Sequence, residues 1–248
     1  MTETFNFTSI NLISDKYNGI TIDNSSIPND VKVFEKELIN IIENIKDKKL
    51  LWIKLPIDKS HIIPLLTKYN FVFHHCNERD ITMLKKLINN SIIPPAINHT
   101  IGVGAVVIDD NKLLVIKGRI WKRFTIPGGH IDEKENISQA LKREVLEETG
   151  IKIELDSIVS LGHFSQSQFE KSNLYVVCSA KALSKEINIV DTHEIIEAKW
   201  MDIDEYFNCE DIHIYNKNIV KTAMKNKGLK LGNYKYITNA DNQHEYYF

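Results

Sequence analysis

Hydrophobic positions along the chain switch between two periods. Near the start, "NGITID" (18–23) alternates apolar and polar residues, the pattern of a half-buried strand. Between 29 and 48, Val31, Phe34, Leu38, Ile41, Ile42 and Ile45 recur at helical spacing, which predicts an amphipathic helix with Asn29 or Asp30 as its N-cap. "LLWIKLPI" (50–57) and "FVFHHC" (71–76) read as strands on either side of a helix at "DKSHIIPLLTKYN" (58–70), where Pro64 falls near the first turn. The segment 89–100, "NNSIIPPAINHT", breaks both periods with a Pro-Pro pair and marks a domain linker.

A second series of elements follows the linker. "IGVGAVVIDDNKLLVIKG" (101–118) holds two apolar runs around Asp109-Asp110-Asn111-Lys112, the pattern of a hairpin. A basic, aromatic loop over 117–130 leads into a helix predicted at 136–149, which Gly150 ends. Strands are predicted at 157–164, 173–183 and 195–203, and a terminal helix at 216–228, while 234–248 fits no single period. The expected organisation is a small α/β domain over 1–95, a second α/β domain over 96–210, and a C-terminal helix and tail over 211–248.

Composition narrows the picture a little. The 248 residues are 43% hydrophobic and 26% charged, as in an ordinary globular protein. The 31 basic and 33 acidic residues leave a formal charge of −2, which gives no global drive toward nucleic acid or an anionic membrane. Cys76, Cys178 and Cys209 lie far apart and fit neither a disulfide framework nor a zinc site. The opening "MTETFNFTSI" lacks a basic region followed by an apolar run, and no apolar stretch nears the roughly 18 residues of a membrane span. A cytoplasmic protein without membrane contact is the expectation.

The helix at 136–149 carries the chemistry. Glu144 and Glu148 lie one turn apart with Glu147 beside them, so all three carboxylates project on one side. Ile137, Leu141 and Val145 form a neighbouring apolar stripe that can dock on a sheet. Like charges at this spacing cost roughly 0.2–0.5 kcal/mol per pair. A solvated acidic face tolerates that cost, and a bound Mg²⁺ or Mn²⁺ removes it.

The residues around the carboxylates change that balance. From Gly129 the chain runs five residues to Glu135, seven to Arg143-Glu144, then Val145, one residue, Glu147-Glu148, one residue, Gly150 and Ile151. This is a complete match to the Nudix box, and seven residues fixed by that pattern match by chance on the order of 10⁻⁸–10⁻⁹ times per start position. Gly128 and Gly129 supply a turn that brings a backbone carbonyl to the metal. Glu135 can hold Arg143, and Arg143 can orient the helix carboxylates. Glu144 and Glu148 are the first candidate ligands, Glu147 is a further ligand or a base, and Gly150 releases the chain from the helix.

These residues match the Nudix box in full, and the sequence resembles the Nudix hydrolases. "GVGAVVI", "IPGGHID", "KSNLYVVC" and "EIIEAKWMDIDE" look like the branch of plant ADP-ribose/NADH pyrophosphatases and their animal relatives. "DKYNGITID", "LWIKLPID" and "NFVFHHC" resemble the pre-Nudix domain of that branch, so the likeness covers roughly residues 15–205. It implies an α/β/α sandwich with a mixed sheet, preceded by a small, partly acetyltransferase-like α/β domain. That N-terminal half lacks the glycine-bearing pyrophosphate loop of an acetyltransferase and is read as a non-catalytic module for dimerisation or regulation.

The resemblance also implies a reaction. Mg²⁺ ions bridge a pyrophosphate, water attacks one phosphorus and a Glu assists. The substrate is a nucleoside diphosphate linked to another group, with ADP-ribose or NADH foremost. Glu194, six residues before Trp200, falls where many members place an additional Glu, although an ordinary loop carboxylate fits as well. The catalytic set expected is Glu147, Glu194 and Arg143. The metal set is Gly129, Glu144, Glu147 and Glu148. Lys117, Arg119, Lys122 and Arg123 could meet phosphates or form a solvated basic loop, and Trp121, Phe164 and Phe169 could stack on a base or pack at a rim. Hydrolysis of RNA or NAD caps, and nucleotide sensing without turnover, are the competing functions.

Overall fold

The structure is a computed structural model that describes residues 2–3, 7–15, 17–167, 171–232 and 245–248. It divides into two compact units, Met1–Ile97 and Asn98–Phe248.

In the first unit, β1 (Thr2–Glu3), β2 (Leu12–Ser14), β3 (Gly19–Ile22), β4 (Leu50–Pro56), β5 (Val72–Cys76) and β6 (Asp80–Lys86) form a sheet of order β1-β2-β3-β4-β6-β5 among the described residues. β3 and β4 run parallel, joined through α1 (Val31–Asn44). The helical spacing read from the sequence is the packing face: Phe34, Leu38 and Ile41 are buried against Leu51, Ile53 and Leu55 of β4. Asp30 is the N-cap, and its Oδ1 accepts from the Lys32 and Val33 N–H groups at 2.8 and 3.2 Å. Asp30→Ala is expected to cost about 1 kcal/mol of stability, read from the midpoint of urea unfolding. An unchanged midpoint would mean that α1 draws its stability from packing alone.

The helix expected at 58–70 is split. A 3₁₀ turn over Ile57–Ile62 leads into α2 (Ile63–Lys68), with Pro64 in the first turn, where a missing N–H is harmless. β6, absent from the sequence reading, pairs with β4 along its whole length from Leu50↔Lys86 to Pro56↔Asp80.

The second unit is built on β7 (His99–Asp109), β8 (Lys112–Gly118), β11 (Ile153–Phe164), β12 (Ser172–Ala182) and β13 (Ile195–Asp202), in the order β11-β12-β7-β8-β13. β12 runs parallel to β7 and the other pairs are antiparallel, so the sheet is mixed. Asp110 and Asn111 make the β7–β8 turn with φ of 47° and 60°, a conformation that Asp and Asn tolerate. The loop at 117–130 is not wholly irregular: it contains β9 (Phe124–Thr125) on β8 and β10 (Gly128–His130) on β7.

Both faces of this sheet are covered. Val103, Ala105 and Val107 face α3 (Ile137–Thr149), which buries Ala140, Leu141 and Val145 against them. Val106, Leu113 and Val115 face the other way, against Tyr206 of α4 (Ile203–Asn208) and Ile219 and Val220 of α5 (Ile214–Lys225). The result is an α/β/α sandwich, and α5 belongs to its core. No helix among the described residues is long and apolar enough to cross a membrane.

Candidate active site

Glycine lets β10 cross tightly over β7. Gly128 pairs with Gly104 and His130 with Gly102, and Gly128 has a φ of 148°. A Cβ on Gly128 would collide with the Val103 carbonyl and the Gly104 backbone. A Cβ on Gly129 would lie 2.5 Å from the carboxyl carbon of Glu144. Both glycines therefore make room, one for the opposing strand and one for a box carboxylate.

The box helix starts with Asn136 and Gln139 in a reciprocal capping box and ends at Gly150 in the left-handed conformation, φ 74°. Arg143 is the hub of its polar face. Its Nε and Nη2 donate to the two Glu135 oxygens at 2.8 and 2.9 Å, and Nη1 donates to Glu144 at 2.9 Å and Glu147 at 3.2 Å. Nη2 also donates to the His130 carbonyl at 3.0 Å. The guanidinium holds the Glu135 carboxyl below the usual carboxylate range. Planar two-point pairing of this kind needs Arg and cannot be made by Lys.

Glu148 is the buried member, only 6% exposed. Its Oε2 accepts from the Gly128 N–H at 2.6 Å. Burial pushes its carboxyl up to about 8, and the charges of Glu144, Glu194 and Asp191 add to that. Glu144 is also raised, first by burial and then by Glu147 and Glu194, against the pull of Arg143. Glu194 thus lies within electrostatic reach of both box carboxylates, although 46 residues separate it from Glu148.

Among the described residues, no three His, Cys, Asp or Glu side chains converge as a ready-made metal cage. Glu144 and Glu147 share the Arg143 Nη1 donor, Glu144 lies against Gly129, and Glu148 accepts from the Gly128 N–H next to it. The donor set still fits a hard divalent cation. A buried carboxylate, neighbouring carboxylates that repel its ionised form and a glycine cradle form an oxygen-rich site that suits one.

Around this cluster lie residues that sequence reasoning did not single out. The Tyr175 ring covers Gly102 and Gly104, with its hydroxyl 2.5 Å from where a Gly104 Cβ would stand. Burial and then the Glu148 charge keep its phenol protonated. A cavity of ≈ 220 Å³ opens beside it, lined by Thr125, Ile126, Phe164, Tyr175, Tyr215 and Asn216 among others. Phe164 meets Tyr215 edge-on at 5.7 Å, and Asn216 Nδ2 donates to Thr125 Oγ1 at 3.1 Å. Nothing local in the sequence joins Tyr175, Tyr215 and Asn216 to this cavity.

The basic loop divides. Arg119 donates to the Thr192 and His193 carbonyls, while Trp121 stands 83% exposed between β8 and β9. Lys117 lies over the Phe124 ring at 5.1 Å. Phe169 falls outside the described residues.

Comparison with known proteins finds relatives of both units. The NUDIX domain profile matches residues 98–223, and the Nudix hydrolase domain profile matches 10–87. Nudix hydrolase 2 of Arabidopsis thaliana is 36% identical over 79% of this chain and 73% of its own length. Nudix hydrolase 8 of the same plant is 34% identical over 77% of this chain, which spans 54% of that longer protein. Human "Nucleoside diphosphate-linked moiety X motif 6" is 30% identical over 79% of this chain and 66% of its length. A solved Nudix hydrolase from Nitrosomonas europaea is 26% identical, covering 50% of this chain and 88% of its own, with a TM-score of 0.45. The chain belongs to the Nudix hydrolases.

Proposed function

We propose that this protein is a Mg²⁺- or Mn²⁺-dependent pyrophosphatase that cleaves a nucleoside diphosphate linked to another group, ADP-ribose or NADH foremost, giving AMP and a phosphorylated product. The observation that carries this reading is the buried Glu148 carboxyl, pushed up to about 8 beside Glu144 and Glu194 and bound by the Gly128 N–H. The name of the human relative supports the nucleoside diphosphate class. The ADP-ribose and NADH assignment rests on the branch resemblance of residues 15–205.

Glu144, Glu147, Glu148 and the Gly129 carbonyl are the residues to hold the cation. When bound, it would neutralise charge on the pyrophosphate and lower the pKa of a coordinated water. Arg143 orients Glu144 and Glu147, and Glu135 in turn fixes Arg143. Glu194, exposed and within electrostatic reach of Glu144 and Glu148, takes the proton of the attacking water, with Glu147 as the alternative acceptor. Phe164 borders the cavity beside Tyr175 and is suited to stack on a base. Trp121, at the exposed loop, is assigned to the same end of the substrate. Val72 and Phe73, exposed on an end strand of the first unit's sheet, support a homodimer, read by light scattering.

The test is a nucleotide panel with Mg²⁺ and product identification. AMP with a phosphorylated partner from ADP-ribose or NADH is the expected result. A folded, metal-supplied protein inert toward the whole panel would sink the substrate assignment, and tight nucleotide binding without turnover would decide for a sensor.

A further inference from the structure

Arg119 sits just past the end of β8 and binds three successive carbonyls of one loop. Its backbone N–H donates to the Glu194 carbonyl at 2.7 Å, its Nε to the His193 carbonyl at 3.0 Å and its Nη2 to the Thr192 carbonyl at 2.8 Å. The first bond extends the β8–β13 ladder one step beyond the Gly118↔Ile195 pair, where that ladder bulges. The other two use the planar fork of the guanidinium on adjacent peptide oxygens, a geometry that the point charge of Lys does not reproduce.

The same loop is tied at its other end to the box helix. The Val190 and Asp191 N–H groups both donate to the Glu147 carbonyl, at 2.9 and 2.8 Å, and the Asn188 N–H donates to the Thr149 carbonyl at 2.9 Å. These are last-turn carbonyls of α3, which have no partner inside the helix. Between the two anchors, Asp191 Oδ1 accepts from the His193 and Glu194 N–H groups at 3.0 and 3.2 Å. Every peptide from Thr192 to Glu194 is therefore held by Arg119, and those of His193 and Glu194 by Asp191 as well. The Glu194 side chain itself stays exposed, and its charge is felt by Glu144 and Glu148.

We infer that Arg119 is a positioning residue: it fixes the Thr192–Glu194 backbone and so sets where the Glu194 carboxylate stands relative to Glu144 and Glu148. This rests on the role given to Glu194 in the reaction. It departs from the sequence-based expectation that Arg119 meets substrate phosphate, because two arms of the guanidinium are committed to peptide carbonyls. Freed of that fork, the loop samples more conformers and the carboxylate is in place for a smaller fraction of the time.

The experiment is a double-mutant cycle on the full chain, with Arg119→Ala, Glu194→Gln and the pair, reading kcat and KM separately. Arg119→Ala is expected to lower kcat about tenfold and leave KM within about twofold, with faster amide exchange over 192–194. In the Glu194→Gln background, the same substitution is expected to change kcat little further. Arg119→Lys should behave like Arg119→Ala. A raised KM, with effects that multiply in the double variant, would overturn the inference and make Arg119 a phosphate contact. Normal turnover by Glu194→Gln alone would remove Glu194 from the reaction, a different failure that also withdraws the purpose of the brace. Arg119 is exposed, and equal melting temperatures would exclude unfolding as the cause.

Discussion

Glu148→Gln is expected to lower kcat at least a hundredfold while leaving the fold intact. A hundredfold corresponds to about 2.7 kcal/mol of lost transition-state stabilisation. The substitution is close to isosteric, and the Gln carbonyl oxygen can accept the Gly128 N–H that Glu148 Oε2 now accepts at 2.6 Å. What it removes is the negative charge, at the most buried point of the carboxylate cluster. A neutral amide binds a hard divalent cation far more weakly than a carboxylate does. The loss should appear with every substrate that the enzyme turns over, because it acts on the metal and not on the base-binding end. Far-UV circular dichroism should match the parent protein. Near-normal turnover in a folded variant would remove Glu148 from the metal site.

The box was legible because its chemistry is local. Gly129, Glu135, Arg143, Glu144 and Glu148 lie on a short strand, the loop after it and one helix, so their spacing alone sets their neighbours. The box places Arg143 within reach of Glu135 and the helix carboxylates, and Arg143 donates to Glu135, Glu144 and Glu147. The helix faces were legible for the same reason: Phe34, Leu38 and Ile41 in α1, and Leu141 and Val145 in α3, pack where their period directs them.

What escaped depends on strand register and on distant backbone. Tyr175 reaches Gly102 and Gly104 because β12 lies parallel to β7 with Tyr175 opposite Gly102, and no short segment encodes that register. Arg119 finds carbonyls 73 and 74 residues away, through acceptors that every residue type presents alike. β6 escaped for another reason. Its Asp80, Lys85 and Lys86 dilute the apolar signal, yet Met83 and Leu84 are buried in a strand that β4 and β5 flank on both edges. Sheet membership here overrides a weak local propensity. The site therefore divides into a helix whose chemistry is local and a surrounding shell that only the fold assembles.

Stripped of divalent cations, the protein is expected to lose stability as pH rises from about 4.5 to about 8. Burial first, and the charges of Glu144, Glu194 and Asp191 after it, raise the Glu148 carboxyl from 4.5 to about 8. In the unfolded chain the same group titrates near its ordinary value. Below that value both states hold the proton and Glu148 adds no slope. Between the two values the folded state holds a proton that the unfolded state has released, so raising the pH favours unfolding by at most roughly 1.4 kcal/mol per pH unit. Above about 8 both states are ionised and the slope ends. Glu144 is raised as well and adds to the fall, whereas Glu135, held low by Arg143, loses its contribution only as pH drops below the ordinary carboxylate range. A cation that binds the ionised carboxylates reverses the penalty, because a ligand of the folded state alone stabilises it by mass action. Thermal melting in EDTA and in Mg²⁺, at pH 5 and pH 8, reads both effects. The Mg²⁺-induced rise should be larger at pH 8, and Glu148→Gln should flatten most of the slope in EDTA and raise the metal-free melting temperature at pH 8. If the slope survives that substitution, the titrating buried carboxylate is another residue; if Mg²⁺ shifts the melting point equally at both pH values, its binding does not draw on these carboxylates.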